Sequence, residues 1–122
     1  MLREILLMVS VLYTIALAAI SLLSIGDFPN IEIDNGDKYW HAIAYGFLCL
    51  IWYLVLTSYN ILQALRIAIF IAVVYGIVLE ILQGVFTGSR ISDIYDILAN
   101  CAGVAFISFI ILVRNKTHIK NL

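Results

Sequence analysis

No charged residue occurs from Ile5 to Ile25, a run long enough for one helix to cross the hydrocarbon core of a bilayer, which takes about 20 residues. Such a run leaves few ways to fold, and the rest of the chain narrows them further. Hydrophobic residues make up 64% of its 122 positions and the mean hydropathy is +1.07, whereas a soluble domain is roughly half apolar. At this length no soluble core could enclose so much apolar surface. A secretory signal is the rival reading of the first segment, with Arg3 as its basic flank. The stretch is longer than a signal core of roughly 7–15 residues and no small-x-small cleavage site follows it, so a retained helix is expected.

Three further spans follow. Lys38 to Leu56 ends at Thr57-Ser58-Tyr59-Asn60; Ile61 to Phe86 carries Arg66 near its start and Glu80 near its end; Ser92 to Val113 is the last. One sizeable loop, Gly26 to Gly36, holds the only proline, Pro29, and three acids, Asp27, Glu32 and Asp34. Backbone polar groups in lipid need partners within the protein, and no alternating strand pattern of the barrel type is present. The expected fold is therefore an all-α membrane protein, a single four-transmembrane-helix bundle over residues 1–122, with no second domain and no internal repeat.

Charge orients that bundle. With four spans both termini share one side, and that side collects Arg3, Arg66, Arg114, Lys116 and Lys120 against one acid, Glu4. By the positive-inside rule it is the cytoplasm. The opposite side receives Asp27, Glu32, Asp34, Asp37, Glu80, Asp93 and Asp96 with only Lys38 and Arg90 as bases. Three polar clusters thus meet at one membrane level: Asp37, Lys38, His41 and Tyr45; Glu80 and Gln83; Arg90, Asp93, Asp96 and Asn100. Within each, spacing selects one helical face. Asp37, His41 and Tyr45 recur every fourth residue, and Asp93, Asp96, Asn100 and Gly103 step by three, four and three. Glu80 and Gln83 are one turn apart, with Gly76 a turn below. On the first helix Ser10, Thr14, Ala18 and Ser21 form a milder stripe that reads as a packing seam.

Ionisable groups inside membrane segments are expensive to keep and mark candidate sites. Each also has a plainer explanation. Asp37 can cap the second helix, and Asp93 and Asp96 can complement the positive end of the fourth. His41 can be a hydrogen-bonded structural histidine, and Lys38 can snorkel to the surface. Trp40, Tyr39 and Trp52 read as interfacial belt aromatics. Glu80 resists such an account, because it follows the uncharged run Ile67 to Leu79 about two turns before the helix exits. An unpaired carboxylate there is costly, so it must be protonated or paired. Arg90 is its natural partner or the natural anion binder, since a guanidinium holds carboxylate or phosphate in a fork.

The ordered set Asp37-Lys38-x-x-His41-x-x-x-Tyr45, Glu80-x-x-Gln83, Arg90-x-x-Asp93-x-x-Asp96-x-x-x-Asn100-x-x-Gly103 resembles the VanZ-like family of bacterial membrane proteins. That resemblance spans positions 37 to 103, a little over half the chain. It implies a multi-helix protein of the bacterial cytoplasmic membrane, and its name-giving relatives are associated with low-level resistance to the glycopeptide teicoplanin, others with lipoglycopeptides. The positions it carries over are Asp37, Lys38, His41, Tyr45, Glu80, Gln83, Arg90, Asp96, Asn100 and Gly103, with Asp93 beside them. Two features depart from the family: the segment before the arginine, often proline-bearing there, reads Thr87-Gly88-Ser89, and the chain is short.

Three kinds of function are consistent with this pattern. As an enzyme, the chain would use His41, Glu80 or Asp96 for general acid and base work on an anionic lipid-linked substrate. Lys38 and Arg90 would hold its charge, and Tyr45, Gln83 and Asn100 would orient it. Oxygen ligands on Asp93, Asp96 and Glu80 suit magnesium or calcium, so a divalent ion is the one cofactor left open. As a binding protein, the outward pocket, rimmed by Trp40, Tyr39, Phe86 and Tyr95, would take the headgroup of a cell-wall precursor lipid or exclude a lipid-tailed antibiotic. In a purely structural role the clusters would only lock four helices together, with Asp37, Asp93 and Gly103 as supports. Transport fits less well, because four short helices leave little room for a pathway unless the chain oligomerises. Cys49 and Cys101 lack CxxC spacing and read as small buried residues. His118 lies in the basic tail Arg114 to Lys120, an ordinary anchor to anionic lipid. A net charge of −1 argues against nucleic-acid binding, and no Gly-rich phosphate loop or zinc spacing appears.

Overall fold

A computed structural model describes residues 2–23, 36–87 and 94–114, and the side chains within them apart from those of residues 22–23, 36–39, 83–84, 86–87 and 94–96. The described residues form four helices joined by one described turn: α1 Leu2–Leu23, α2 Gly36–Ser58, α3 Ala64–Thr87 and α4 Ile94–Arg114. Each contains a stretch long and apolar enough to cross a membrane. The protein is an all-α, multi-pass membrane bundle.

The α2–α3 turn differs from the expected start of the third helix at Ile61, and the reason is local. Asn60 adopts a left-handed backbone with φ of 59°, a conformation asparagine tolerates better than most residues. Its N–H bonds the Thr57 carbonyl at 3.0 Å and that of Ile61 bonds the Leu56 carbonyl at 2.9 Å, the paired bonds of a Schellman ending. A second left-handed residue, Gln63, delays helical geometry until Ala64. Its carbonyl then accepts from the Ile67 N–H.

Among the described helices α2 is the central one, packing against all three others and most extensively against α4. The α2–α4 contact is backbone on backbone. A methyl group placed on Gly103 would fall inside the Ala42 peptide, and one on Gly46 would lie 3.0 Å from the Gly103 carbonyl oxygen. Lipid tails are as apolar as leucine, so helices in a bilayer associate through close packing instead of through escape from water, and small residues allow it. Around this crossing lie Leu48, Cys49, Ala68, Ala72 and Val104, all buried.

α1 is attached differently. Its outer face, including Leu2, Met8, Leu12 and Ile15, is exposed toward the surrounding bilayer, and its inner seam holds Ser10, fully buried, with Leu17 a further two turns along. The Tyr13 hydroxyl donates to the Ala44 carbonyl of α2 at 2.7 Å. Trp52 Nε1 donates to Thr14 Oγ1 at 3.0 Å, that hydroxyl donates to the Ser10 carbonyl at 2.8 Å, and the Tyr75 hydroxyl donates to the Thr14 carbonyl. Trp52 is thus an interior bridge between α1 and α2, which corrects its reading as a belt aromatic. Trp40, 48% exposed, keeps a surface position. At the far end the Arg3 guanidinium lies 5.0 Å above the Tyr59 ring, an antiparallel contact between the start of α1 and the end of α2.

Two substitutions test these attachments. Gly103→Ala forces the α2–α4 backbones apart and should cost about 1–3 kcal/mol or more, seen as a lower unfolding midpoint in mixed-micelle denaturation. Trp52→Phe keeps an aromatic side chain, smaller than the indole, and deletes one interhelical hydrogen bond, whose share of the loss is about 0.6–1.7 kcal/mol. A double-mutant cycle with Thr14→Val should recover that coupling, and additivity of the two changes would sink the bridge.

Candidate functional site

The antiparallel order of the helices places the start of α2 and the end of α3 at the same end of the bundle as the start of α4 and the end of α1. At that end the structure brings His41, Tyr45, Glu80 and Asn100 together from α2, α3 and α4. Glu80 and Asn100 are 2% exposed, Tyr45 is 2% and His41 is 8%. The His41 and Tyr45 rings stack one turn apart, centroids 6.4 Å from each other and planes 15° apart. This is the arrangement the four-residue spacing dictates.

Gly76 forms the floor of this group. A methyl there would meet Asn100 Nδ2 at 2.8 Å and Tyr45 Cε1 at 3.2 Å, so the carboxamide and the phenol ring both rest on bare α3 backbone. The Tyr45 hydroxyl pairs with Ser21 of α1 and lies within electrostatic reach of Glu80 and Tyr75. Neither His41 nor Glu80 is without a partner, as burial of ionisable groups requires. Among the described residues the Asn100 Oδ1 is buried without a hydrogen bond, as is the Nδ1 atom of the His41 ring. Ser10 Oγ is in the same state, but on the α1 seam about 16 Å along the helix from Ser21 at ~1.5 Å per residue.

The remaining candidates divide by how far they are described. Asp37, Lys38, Gln83 and Asp96 have their backbones in α2, α3 and α4 at this same end, while their side chains lie outside the described residues, as do those of the expected rim residues Tyr39, Phe86 and Tyr95. Arg90 and Asp93 lie wholly outside them. Gly103 is one turn beyond Asn100 and belongs to the α2–α4 crossing, a supporting role. Among the described residues no three His, Cys, Asp or Glu side chains gather as a metal site; of the Asp93, Asp96 and Glu80 set only Glu80 is described. Sequence reasoning overlooked Tyr75 and Ser21 as neighbours of Tyr45. The signal for Tyr75 was its position directly before Gly76, on the helix that presents Glu80 one turn later. For Gly46 it was adjacency to Tyr45.

Chemically, the group offers a carboxyl, an imidazole, a phenol and an unused carbonyl acceptor in a setting shielded from water. Such a set can hold and orient a hydrogen-bond donor, or shuttle a proton between His41, Tyr45 and Glu80. No family model, curated protein or solved structure matches this chain.

An orphaned buried acceptor costs about 1–3 kcal/mol, and replacing it by an apolar group of the same shape is neutral or stabilising. Asn100→Leu should therefore leave the unfolding midpoint unchanged or raise it. A loss of more than about 1 kcal/mol would make the carboxamide a structural element instead.

Proposed function

We propose that this end of the bundle is a binding site for the headgroup of an anionic cell-envelope lipid or lipid-linked ligand, in a VanZ-like protein of the bacterial cytoplasmic membrane. The observation that carries the reading is the gathering of His41, Tyr45, Glu80 and Asn100 in one buried group at this end, with the Asn100 Oδ1 unpaired among the described residues. An acceptor kept buried and unpaired beside a glutamate and a histidine is suited to a donor that arrives with the ligand. Ligand O–H or N–H groups supply that donor. The charge pattern puts this end outside, both termini in the cytoplasm, and contributes Lys38 and Arg90 as the bases for a phosphate or carboxylate.

This reading joins the resemblance to glycopeptide resistance through chemistry. Teicoplanin is lipid-tailed, and a site for anionic amphiphiles in the outer leaflet would compete for, bind or exclude such molecules. Modification of the ligand is the second reading, favoured by His41 and Glu80 standing within one shielded group.

The test is lipid retention by the intact protein, measured by native mass spectrometry with phosphatidylglycerol and a lipid-linked cell-wall precursor offered separately. Glu80→Gln, His41→Ala and Arg90→Ala should each weaken retention about tenfold, roughly 1.4 kcal/mol, at normal folded yield. Equal retention by all three variants and the unaltered chain would sink the proposal. Collapse of folded yield in all three would favour the helix-locking role, and a mass change in a retained lipid would establish catalysis. Susceptibility to lipoglycopeptides in cells carrying the same variants reports the link to resistance.

A further inference from the structure

The polar group at the outer end is closed. Its members His41, Tyr45, Glu80 and Asn100 are all buried, so a ligand reaches them only after some of the covering protein has moved aside. The seams between helices differ in what such movement would disrupt. Between α2 and α4 the backbones touch at Ala42, Gly46 and Gly103, and the apolar groove beyond that contact, walled by Phe47 and Phe106, is lined by none of the polar group. α3 meets α2 and α4 through Gly76, on which Tyr45 and Asn100 both rest. Separating it would dismantle the group itself.

α1 is held more lightly. Only 11% of the residues in its membrane stretch are buried, against 56% in α2, 33% in α3 and 28% in α4. Lipid replaces apolar protein contact at little loss, so a helix packed this thinly depends on its hydrogen bonds. These include Tyr13 to the Ala44 carbonyl, Trp52 to Thr14, Tyr75 to the Thr14 carbonyl and Tyr45 with Ser21. The last joins α1 to a member of the group, which makes α1 the cover over the Tyr45 phenol.

We infer that α1 is a lateral gate, parting from α2 and α3 to admit the amphiphile from the outer leaflet and docking again to shield its headgroup. This gate presupposes the headgroup site proposed above. Ser10 supplies a second, independent observation. It is fully buried in the docked seam, and its Oγ has no hydrogen bond among the described residues. On a helix facing lipid the same hydroxyl can turn back to the Leu6 carbonyl four residues earlier. The penalty of stranding it therefore falls on the docked state alone. It offsets part of what the interhelical bonds contribute and brings the closed and open states nearer in free energy. At the inner end Arg3 lies 5.0 Å above the Tyr59 ring, with its side chain half exposed. A tilting α1 can keep that surface contact, so the inner end is the pivot and Ser21 lies on the edge that swings.

Two variants should act in opposite directions. Tyr13→Phe keeps the ring edge-on to Phe47, centroids 5.1 Å apart, and removes one fastening, so α1 should open more often. Ser10→Ala removes the stranded hydroxyl, so α1 should open less often. One interhelical bond in a bilayer corresponds to about a 3- to 15-fold change in such an equilibrium.

The test places the full chain in phosphatidylcholine vesicles that include a phosphatidylcholine with a diazirine midway along one chain, and maps the labelled residues after irradiation. Parallel samples follow, by native mass spectrometry, the rate at which isotope-labelled phosphatidylglycerol replaces bound phosphatidylglycerol. Tyr13→Phe should raise labelling of Leu17 and Tyr45, 3% and 2% exposed, by about 3- to 15-fold and speed exchange in step. Cys49 and Val104, buried around the α2–α4 crossing, should stay at background. Ser10→Ala should lower the Leu17 and Tyr45 labels and slow exchange. Labels unchanged in both variants would show α1 fixed, and labels that rise without faster exchange would show entry past the helix ends; either overturns the gate and leaves the headgroup site standing. Cys49 and Val104 labelled together with Leu17 would mean general loosening of the bundle, which overturns the gate as well. Phosphatidylglycerol retention indifferent to Glu80→Gln would sink the headgroup site, and the gate with it.

Discussion

The contact on which the rest depends is the crossing of α2 and α4, where Gly103 leaves no gap from the Ala42 peptide and Gly46 faces Gly103 in return. In a bilayer the gain from such contact is dispersion between closely approached backbones, so it tolerates no side chain at its centre. Two consequences follow from one geometry. The register of the crossing puts His41 of α2 and Asn100 of α4 at the same height beside α3. The absence of side chains at its floor leaves a furrow on the opposite face. Moving either glycine would alter both.

Polar groups inside this bundle gather in two places. Around Thr14 they bridge helices: its hydroxyl accepts from Trp52 and donates to the Ser10 carbonyl, and its own carbonyl receives Tyr75. These bonds hold α1, a helix with little buried surface, against the remainder. Around Asn100 one buried acceptor has no partner among the described residues, at the end where the ionisable residues gather; the Ser10 Oγ, one turn from Thr14, is likewise unpaired.

Much of the architecture was legible in the chain, because uncharged runs of membrane length admit few interpretations. The four spans, the absence of strands among the described residues and the sharing of one end by positions 37–45, 80–83 and 96–100 all follow from hydropathy and helical period. The turn after Ser58 was less legible. Asn60 was visible as a helix stop, but the left-handed Gln63 that postpones α3 depends on backbone geometry that no pattern encodes. Trp52 misled for a related reason. Its position near a helix end suited a belt aromatic, and only the tertiary placement of Thr14 turns the indole inward. Periodicity names the face of a helix without naming what meets that face, so Gly76 was readable as a place of close approach while Tyr45 and Asn100 as the groups resting on it were not.

The division of labour between the two attachment systems also orders assembly along the chain. The most extensive partner of α2 is α4, which a ribosome delivers after α3, so the tight crossing cannot form until both have been made. The bonds from Tyr13 to the Ala44 carbonyl and from Trp52 to Thr14 need only α1 and α2. The first hairpin therefore has its own fastening in the bilayer while α3 and α4 are still being made. It keeps His41 and Tyr45 in a membrane-inserted, partly sheltered state until α4 arrives to pack against α2.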